Sequence, residues 1–225
     1  MKIELDERLG MLADMVPVCS AAADVGTDHG FLGAWLLENK KCGEMHFLDI
    51  SAPSLNKARN LIEDMQLESR AVFSVGDGLE ALTDKVQAIV IAGMGGITIS
   101  GIIQRGKKKI CGARLIMQPN VGIRELRECL MNSGFRVVDE RLARAGRRWY
   151  VAIAAEEGQA QYTDMELLIG PVLLEKRPPE LKEYADFRIK VTQKAYDGAV
   201  RGSKHDMTRE LEGELRLWKE VRSWL

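Results

Sequence analysis

The sequence lacks any uninterrupted apolar run near the ~20 residues that a membrane-spanning helix needs, although 46% of its residues are hydrophobic. Its first residues alternate acidic with apolar side chains and lack the hydrophobic region of a secretory signal peptide. Charged residues make up 29% of the chain, which argues against a membrane protein. We therefore expect a cytoplasmic protein with no membrane partner.

Disulfide and zinc patterns are missing too. The four cysteines, Cys19, Cys42, Cys111 and Cys129, form no C-x-x-C pair and have no histidine at ligand spacing. Isolated cysteines of this kind are typically reduced and behave as small hydrophobic residues. We predict mostly buried free thiols and no metal site.

Net charge is almost absent, at −1, but this value conceals two opposite segments. Residues 1–103 contain 8 Lys and Arg against 15 Asp and Glu, whereas residues 104–148 contain 12 against 4. The resulting net charges are −7 and +8, and an excess of eight over 45 residues is more than local pairing neutralises. The basic segment favours a polyanionic partner over a merely solvated face.

Short apolar runs alternate with amphipathic stretches through residue 155, which predicts an α/β fold with a parallel sheet between helices. The predicted strands are Ala21–Val25, Met45–Ile50, Ala71–Val75, Gln87–Ala92, Ala113–Gln118, Phe135–Asp139 and Trp149–Ala154. The predicted helices are an apolar face from Leu5 to Val16 followed by Phe31–Glu38, Ser54–Met65, Ile97–Gln104 and Gly122–Met131. The last two strands are joined only by the basic link Glu140–Arg148, so we expect them to be antiparallel.

The pattern changes after residue 157, so we expect a domain at 1–157 and a helical C-terminal domain at 158–225. Thr163 and Glu166 form a capping box ahead of an apolar run. Two apolar stripes at helical spacing then flank a polar linker, Asp197–His205, and predict a helical hairpin. Its alternating charges leave open whether it contacts a partner or only covers the first domain.

Acidic residues and glycines follow the predicted strands, where open parallel sheets bind ligands. These strand ends carry Asp24 with the loop Gly26-Thr27-Asp28-His29-Gly30, then Asp49, Gly76-Asp77-Gly78, Gly93-Met94-Gly95-Gly96 and Gln118-Pro119-Asn120. A single aspartate at a strand end is commonly a turn or helix cap. Four such acids in register, Asp24, Asp28, Asp49 and Asp77, together with the glycines, favour a ligand site.

The first of these loops lacks the G-x-G-x-x-G pattern that holds a pyrophosphate at a helix N-terminus. An acid stands where phosphate would lie, which disfavours NAD and ATP. A cationic ligand that contains a ribose, such as S-adenosylmethionine, suits Asp24, Asp28, Asp49 and Asp77. Asp49 is placed to accept from the ribose hydroxyls and Asp77 to face the adenine edge.

Several motifs carry a more specific resemblance. They are Leu5-Asp6-Glu7-Arg8-Leu9, Asp24-Val25-Gly26-Thr27-Asp28-His29, Gly76-Asp77-Gly78-Leu79, Ala92-Gly93-Met94-Gly95-Gly96, Leu115-Ile116-Met117-Gln118-Pro119-Asn120 and Leu168–Leu174. With these motifs the chain resembles the bacterial TrmK family of tRNA (adenine-22-N1) methyltransferases. The resemblance implies a Rossmann-like class I methyltransferase with a seven-stranded, mostly parallel sheet and a coiled-coil-like C-terminal hairpin. It also implies S-adenosyl-L-methionine as cofactor and tRNA as partner.

Two positions and one segment depart from the family pattern. Gly30 stands where alanine is usual, Asp49 stands where we expect glutamate, and residues 141–148 differ from a Glu/Gly/Lys-rich link. Asp49 keeps a carboxylate, so ribose binding is expected to be retained. The different sequence of residues 141–148 affects the expected contacts with RNA.

The site residues follow from the motifs. The expected cofactor-binding residues are Arg8, Asp24, Gly26, Thr27, Asp28, His29, Asp49, Ile50, Asp77, Gly78, Gly93, Met94 and Gly95. The expected catalytic residues are Asp28, for the positive charge that develops on a methylated adenine, and Asn120, for the base edge. His29 is either a structural hydrogen-bonding group or a base.

The basic segment is expected to contact the RNA backbone. Its residues are Lys107, Lys108, Lys109, Arg114, Arg124, Arg127, Arg136, Arg141, Arg144, Arg147 and Arg148. Pairing of Arg124 and Arg127 with Glu125 and Glu128 is the alternative for those two. The other functions that stay open are methylation of another RNA or a small molecule, and a non-catalytic RNA-binding module. We expect a monomer without an obligate protein partner.

Overall fold

The computed structural model describes residues 3–225, which form two compact units, one ending at Gln161 and one beginning at Tyr162. The first unit holds a seven-stranded sheet. Its strands are β1 (Cys19–Val25), β2 (Cys42–Asp49), β3 (Ala71–Val75), β4 (Ala88–Met94), β5 (Arg114–Pro119), β6 (Phe135–Ala145) and β7 (Arg148–Glu157). Its α-helices are α1 (Glu7–Met15), α2 (Phe31–Glu38), α3 (Ala52–Asp64), α4 (Gly96–Ile110) and α5 (Ile123–Asn132).

The strand order is β3-β2-β1-β4-β5-β7-β6. Strands β1 to β5 are parallel, and β7 is antiparallel to both β5 and β6. From β1 the chain moves outward to β2 and β3, and it then returns to place β4 on the other side of β1. The strand order therefore reverses between β1 and β4, which is where open α/β sheets bind ligands. The predicted Rossmann-like fold is confirmed.

The centre of the sheet is buried on both faces. Residues 88–91 of β4 and 115–117 of β5 have no solvent exposure. Such strands read as continuous apolar runs because helices cover both sides of a parallel sheet. Near the N-terminus, the Asp6 side chain caps α1 by accepting from the amide of Leu9 at 2.7 Å. The cap fixes the start of the helix and therefore the position of Arg8 in its first turn.

The predicted link Glu140–Arg148 is wrong. Strand β6 continues to Ala145, which pairs with Arg148, so the link between β6 and β7 is the two-residue turn Gly146-Arg147. The basic composition of residues 140–145 is typical of a loop, but these residues form the second half of β6, and their side chains alternate between the two faces of the sheet. Gly146 has a φ of +61°, a conformation that glycine adopts at little cost.

The second unit is helical. Its helices are α6 (Asp164–Ile169), α7 (Pro171–Lys176), α8 (Glu180–Arg201) and α9 (His205–Trp224). The Thr163–Glu166 capping box is present in full. Helices α8 and α9 pack as the predicted hairpin, with the Tyr184 and Trp218 rings edge to face at 5.5 Å. The predicted linker is too long, because α8 continues to Arg201 and only residues 202–204 separate the two helices.

Two further features bear on the predictions of location and redox state. Across residues 3–225, the helices are all too short or too polar to cross a bilayer. The four cysteines are free thiols, but only Cys42 is buried, and Cys111 is exposed. The expectation of mostly buried thiols is therefore wrong, because Cys111 lies in the turn after α4, outside the sheet core.

Candidate active site

A cavity of about 300 Å³ opens at the carboxyl ends of β1 and β4. Its walls come from α1, the end of β1, the loop before α2 and the end of β4. Seven predicted site residues line it: Arg8, Asp24, Gly26, Thr27, Asp28, His29 and Gly93. The topology thus brings the N-terminal helix and two separate strand ends to one place.

The other predicted residues follow neighbouring strands on the same edge of the sheet. Asp49 ends β2 and Ile50 follows it, Asp77 and Gly78 follow β3, Met94 ends β4 and Gly95 follows it, and Asn120 follows β5. Backbone hydrogen bonds connect these ends. The amide of Gly26 donates to the Leu48 carbonyl at 2.7 Å, and the amide of Asn120 donates to the Met94 carbonyl at 2.7 Å.

Two glycines shape the loop after β1. Gly26 has a φ of +80°, and a Cβ there would collide with the terminal methyl of Met94. Gly30 has a φ of +73° at the start of α2, and a Cβ there would be 2.8 Å from Cβ of Ala58. Both positions therefore need glycine.

Asp24 is a partly buried carboxyl at the base of the cavity. The pKa of Asp24 is raised to about 6, mainly by burial, and the nearby charge of Asp49 contributes to the increase. A hydrogen bond from Thr27 and the charge of Arg8 act in the opposite direction. A carboxylate whose charge is poorly solvated pairs favourably with a cation that enters the cavity.

Asp28, in contrast, is exposed and already paired. Its carboxylate accepts from Nζ of Lys57 at 2.8 Å and lies 3.2 Å from Nε2 of His29. The hydrogen bond from Lys57 holds the pKa of Asp28 below its ordinary value. Asp28 is therefore ionised, as its predicted role requires. The sequence analysis missed Lys57, which lies on α3, 29 residues along the chain.

Asp49 has one carboxylate oxygen engaged, since Oδ1 accepts from the amide of Ser51 at 2.7 Å. Asp77 accepts through both oxygens from Nη2 of Arg105, each at 3.0 Å. Arg105, on α4, is a second partner that the sequence analysis missed. Among the aspartates that end strands, Asp49 offers an oxygen to a ribose hydroxyl, whereas Asp77 is held by an arginine.

A chain of hydrogen bonds joins the ends of β4 and β5 to α1. Nη1 of Arg8 donates to Oε1 of Gln118 at 3.0 Å, and Nε2 of Gln118 donates to Oδ1 of Asn120 at 3.2 Å. Nδ2 of Asn120 then donates to the Gly93 carbonyl at 2.6 Å. A guanidinium only donates and a carbonyl only accepts, so the two ends determine the orientation of both amides. We call these four groups the amide relay.

Gln118 is a functional candidate that the site prediction omitted. Its side chain is completely buried, yet each end of its amide has a partner in the relay. The signal in the sequence was Gln118-Pro119-Asn120, two amides around a rigid turn after a buried strand. Exposed apolar side chains also lie at this edge, among them Ile50, Ile97 and Val121, and of these only Ile50 was predicted.

Several basic residues of the predicted RNA-binding set are instead in ion pairs. Arg114 pairs with Glu156 at 2.8 Å and Arg141 with Asp139 at 3.0 Å. Arg127 and Glu140 form a buried pair at 2.8 Å, with side chains 1% and 0% exposed. Arg127 is therefore unable to reach RNA, and its partner is Glu140 of β6 rather than Glu125 or Glu128.

The residues at this edge fit S-adenosylmethionine. Gly93 leaves room for close backbone approach, Asp49 keeps a hydrogen-bond acceptor, and Asp24 offers a charge for a cation. Within residues 3–225 the structure holds no group of three or more His, Cys, Asp or Glu side chains arranged to bind a metal ion. The assignments of individual residues to the cofactor stay predictions.

The comparisons with known proteins agree with this geometry. Residues 5–153 match the family model described as a methyltransferase domain. The chain is 31% identical over 233 aligned positions to the Bacillus subtilis tRNA (adenine(22)-N(1))-methyltransferase, covering 98% of both chains. It is 27% identical to a Mycoplasma pneumoniae protein over 76% of this chain and 81% of that one.

Solved structures show the same relationship across the fold. The crystal structure of the B. subtilis m1A22 tRNA methyltransferase TrmK superposes with a TM-score of 0.88 at 28% identity, over 98% of this chain and all of that one. A Streptococcus pneumoniae protein in complex with S-adenosyl-L-methionine superposes with a TM-score of 0.87 at 26% identity, over 97% and 100% of the two chains. This chain therefore belongs to the TrmK family of tRNA (adenine(22)-N(1))-methyltransferases.

Proposed function

We propose that this chain transfers a methyl group from S-adenosylmethionine to N1 of adenine 22 in tRNA, acting as a cytoplasmic monomer. The observation that carries this proposal is the relationship over nearly the whole chain to an enzyme of that activity. The acidic strand ends and the open backbone at Gly93 support the same cofactor independently. Family membership supports tRNA as the partner.

On the cofactor side, Asp49 accepts from the ribose hydroxyls through its free oxygen, and Asp24 pairs with the ammonium group of the methionine end. Gly93, with a φ of +77° and room where a Cβ would stand, lets the backbone approach the ligand. Ile50 is 73% exposed and offers an apolar surface to an adenine ring. S-adenosylmethionine supplies an electrophilic methyl group, which N1 of the target adenine accepts through its in-plane lone pair to give a cationic base.

On the base side, Asn120 orients the target adenine. The amide relay leaves Oδ1 of Asn120 one lone pair, which accepts from the N6 amino group while N1 stays free. Ile97 and Val121, 75% and 68% exposed, provide apolar surfaces for the base once it has left its stack. Orientation of this kind is the main contribution that an enzyme makes to a nucleophile needing no activation.

Asp28 stabilises the positive charge that the adenine acquires. Its carboxylate is ionised and lines the cavity, so it meets the electrostatic requirement. Lys57 already balances part of its charge, so we expect a smaller contribution from Asp28 than from an unpaired carboxylate. The role of His29, 3.2 Å from Asp28, is to hold that carboxylate in place.

The test is methylation of unmodified tRNA transcripts with labelled S-adenosylmethionine, followed by nucleoside analysis. We expect label only in 1-methyladenosine, and none in a matched transcript with guanine at position 22. Label in another nucleoside would support a different RNA methyltransferase, and binding without label would support a non-catalytic module. Size-exclusion chromatography with light scattering checks the monomer.

A further inference from the structure

The exposed basic side chains of the first unit include two clusters of neighbouring residues. The hairpin tip, residues 144–149, includes Arg147 and Arg148 at the turn between β6 and β7. The helix tail, residues 107–109, includes Lys107 and Lys108 in the last turn of α4. Arg147 and Arg148, like Lys107 and Lys108, are exposed and have no carboxylate partner among residues 3–225. The two clusters are alike in charge and accessibility, so their positions decide what each can do.

The hairpin tip lies at the edge of the sheet that carries the site. Leu115 pairs with Ala155 and Met117 with Ile153 in the antiparallel ladder between β5 and β7. Continued in the same register, Pro119 at the end of β5 lies opposite Val151. Strand β7 begins three residues earlier, at Arg148, so the tip extends about 10 Å past the end of β5 at about 3.4 Å per residue.

Contacts at the base of the tip lead directly to the cavity. The guanidinium of Arg8, which lines the cavity, lies 5.8 Å from the ring centroid of Tyr150. Tyr150 is only two residues from Arg148 along β7. The guanidinium of Arg144 lies 5.8 Å from the ring centroid of Trp149 on the paired strand, which adds a third cation to the tip.

The helix tail lies at the opposite edge. Helix α4 follows the carboxyl end of β4, and its 15 residues carry the chain about 22 Å back to the start of β5. A hydrogen bond also places the end of α4 near the start of β4. Nζ of Lys109 donates at 2.9 Å to the carbonyl of Leu82, which precedes that strand. A phosphate bound by Lys107 or Lys108 would therefore lie far from the cavity.

We propose that the hairpin tip is the docking surface in this unit for the RNA backbone beside the target adenine, with Arg147 and Arg148 binding phosphates. The inference rests on the proposed function and adds the position of the RNA. An extruded base must enter the cavity while its flanking phosphates stay outside. The tip is an exposed cationic surface that projects past the strand end beside the cavity, so its charge and position both suit those phosphates.

The experiment compares two double variants of the full chain that each remove two positive charges. They are Arg147→Ala with Arg148→Ala, and Lys107→Ala with Lys108→Ala. Affinity for a tRNA transcript is measured by filter binding at several salt concentrations, and S-adenosylmethionine affinity by calorimetry. We expect the hairpin variant to bind tRNA on the order of tenfold more weakly, with a salt slope lower by about two.

The matched controls separate location from total charge. The helix-tail variant should bind tRNA within about twofold of the unchanged chain and keep its salt slope. Arg147→Lys with Arg148→Lys should restore most of the affinity, since a lysine also binds phosphate as a point charge. S-adenosylmethionine affinity should be the same in all variants, which shows that the site remains folded.

Equal losses in the two double variants, or unchanged tRNA binding by the hairpin variant, would overturn the inference. The failure of the proposed function has a different signature. In that case the unchanged chain puts no label into 1-methyladenosine, although the binding comparison still gives its own result. If the unchanged chain binds no tRNA at any salt concentration, both proposals are wrong.

Discussion

The two halves of the candidate site differ in the charge of their polar side chains. The acid half, at the ends of β1 and β2, presents the carboxylates of Asp24 and Asp49. The amide half, at the ends of β4 and β5, presents the neutral side chains of Gln118 and Asn120. The halves meet where β1 and β4 pair, at the reversal of strand order.

This difference indicates a division of work. Ionised carboxylates only accept hydrogen bonds, so they suit hydroxyl groups and cations. An amide both donates and accepts hydrogen bonds, so it matches the edge of a neutral base. The amide relay determines that Oδ1 of Asn120 accepts and that Nδ2 donates. Changes in the acid half should therefore act on cofactor binding, and changes in the amide half on methyl transfer.

The largest effect is expected in the amide half. Asn120→Ala should slow methyl transfer on the order of a hundredfold, because a base held without its hydrogen bond is poorly oriented. Single-turnover rates measured at saturating tRNA and cofactor report this step. S-adenosylmethionine affinity should stay within about twofold, because Asn120 contacts the base and not the cofactor.

The matched control is Asn120→Asp. It keeps an acceptor oxygen for the base but loses the N–H that donates to the Gly93 carbonyl. It should recover part of the rate that alanine loses. If Asn120→Ala weakens cofactor binding as strongly as it slows methyl transfer, the two halves do not have separate roles.

In the acid half, Asp49→Ala should raise the dissociation constant for S-adenosylmethionine at least about tenfold, since a hydrogen bond to a charged group contributes roughly 1.5–3 kcal/mol. Calorimetry measures this change directly. Asp49→Asn keeps one acceptor oxygen and should lose less. Affinity for tRNA should be unchanged in both variants, and a parallel loss of tRNA affinity would argue against a separate cofactor half.

Asp24 makes cofactor binding depend on pH. Its pKa of about 6 means that the carboxyl is mostly ionised at pH 7 and mostly protonated at pH 5. The affinity for the cationic cofactor should therefore fall by up to about tenfold between those values. Asp24→Asn should bind weakly at both. An equal pH dependence in the unchanged chain and in Asp24→Asn would assign the effect to another group.

The same carboxyl should lower stability at neutral pH. Its pKa in the folded protein is raised from the ordinary 3.8 to about 6, so it contributes stability below pH 4 that is lost as the pH rises through 6. Asp24→Asn should therefore raise the melting temperature of the ligand-free protein at pH 7.5 while it weakens cofactor binding. A lower melting temperature for Asp24→Asn at pH 7.5 would contradict this account.

The smallest effect is expected at Asp28, which lies between the halves in an exposed ion pair. Asp28→Ala should slow methyl transfer by less than about tenfold, because exposed charge pairs are screened by solvent. Lys57→Met removes the hydrogen bond that lowers the pKa of Asp28, so that pKa should move back toward its ordinary value. Full turnover of Asp28→Ala with unchanged cofactor affinity would remove Asp28 from the mechanism.

Most of the fold could be predicted from local patterns. The run Ala88–Ile91 is apolar on both faces, and such strands occur in sheets that helices cover on both sides. The sequence predicts β6 only as far as Asp139, because the arginines that follow are typical of a loop. In the structure the strand continues, and its pairing with β7 places Leu142 opposite Val151. Strand pairing is a contact between distant segments, so composition alone does not reveal it.

The candidate site was predicted unevenly for the same reason. Residues that follow a strand directly, such as Asp24 and Asn120, could be identified because a parallel sheet places all strand ends on one edge. The side chains that pair with these and neighbouring site residues could not be identified from the sequence. Lys57 and Arg105 reach Asp28 and Asp77 across 29 and 28 positions of the chain, and no periodicity connects them.

The sequence by itself determined the alternation of strands and helices, the acidic strand ends and the family. These properties depend on neighbouring residues or on motifs that stand contiguous in the chain. The tertiary structure alone decided which charges are available. Arg127 is buried against Glu140 while Arg147 and Arg148 stand exposed at the site edge, although all three belong to one basic segment. A charge is set by residue type, but its partner and its exposure are set by the segments that the fold brings beside it.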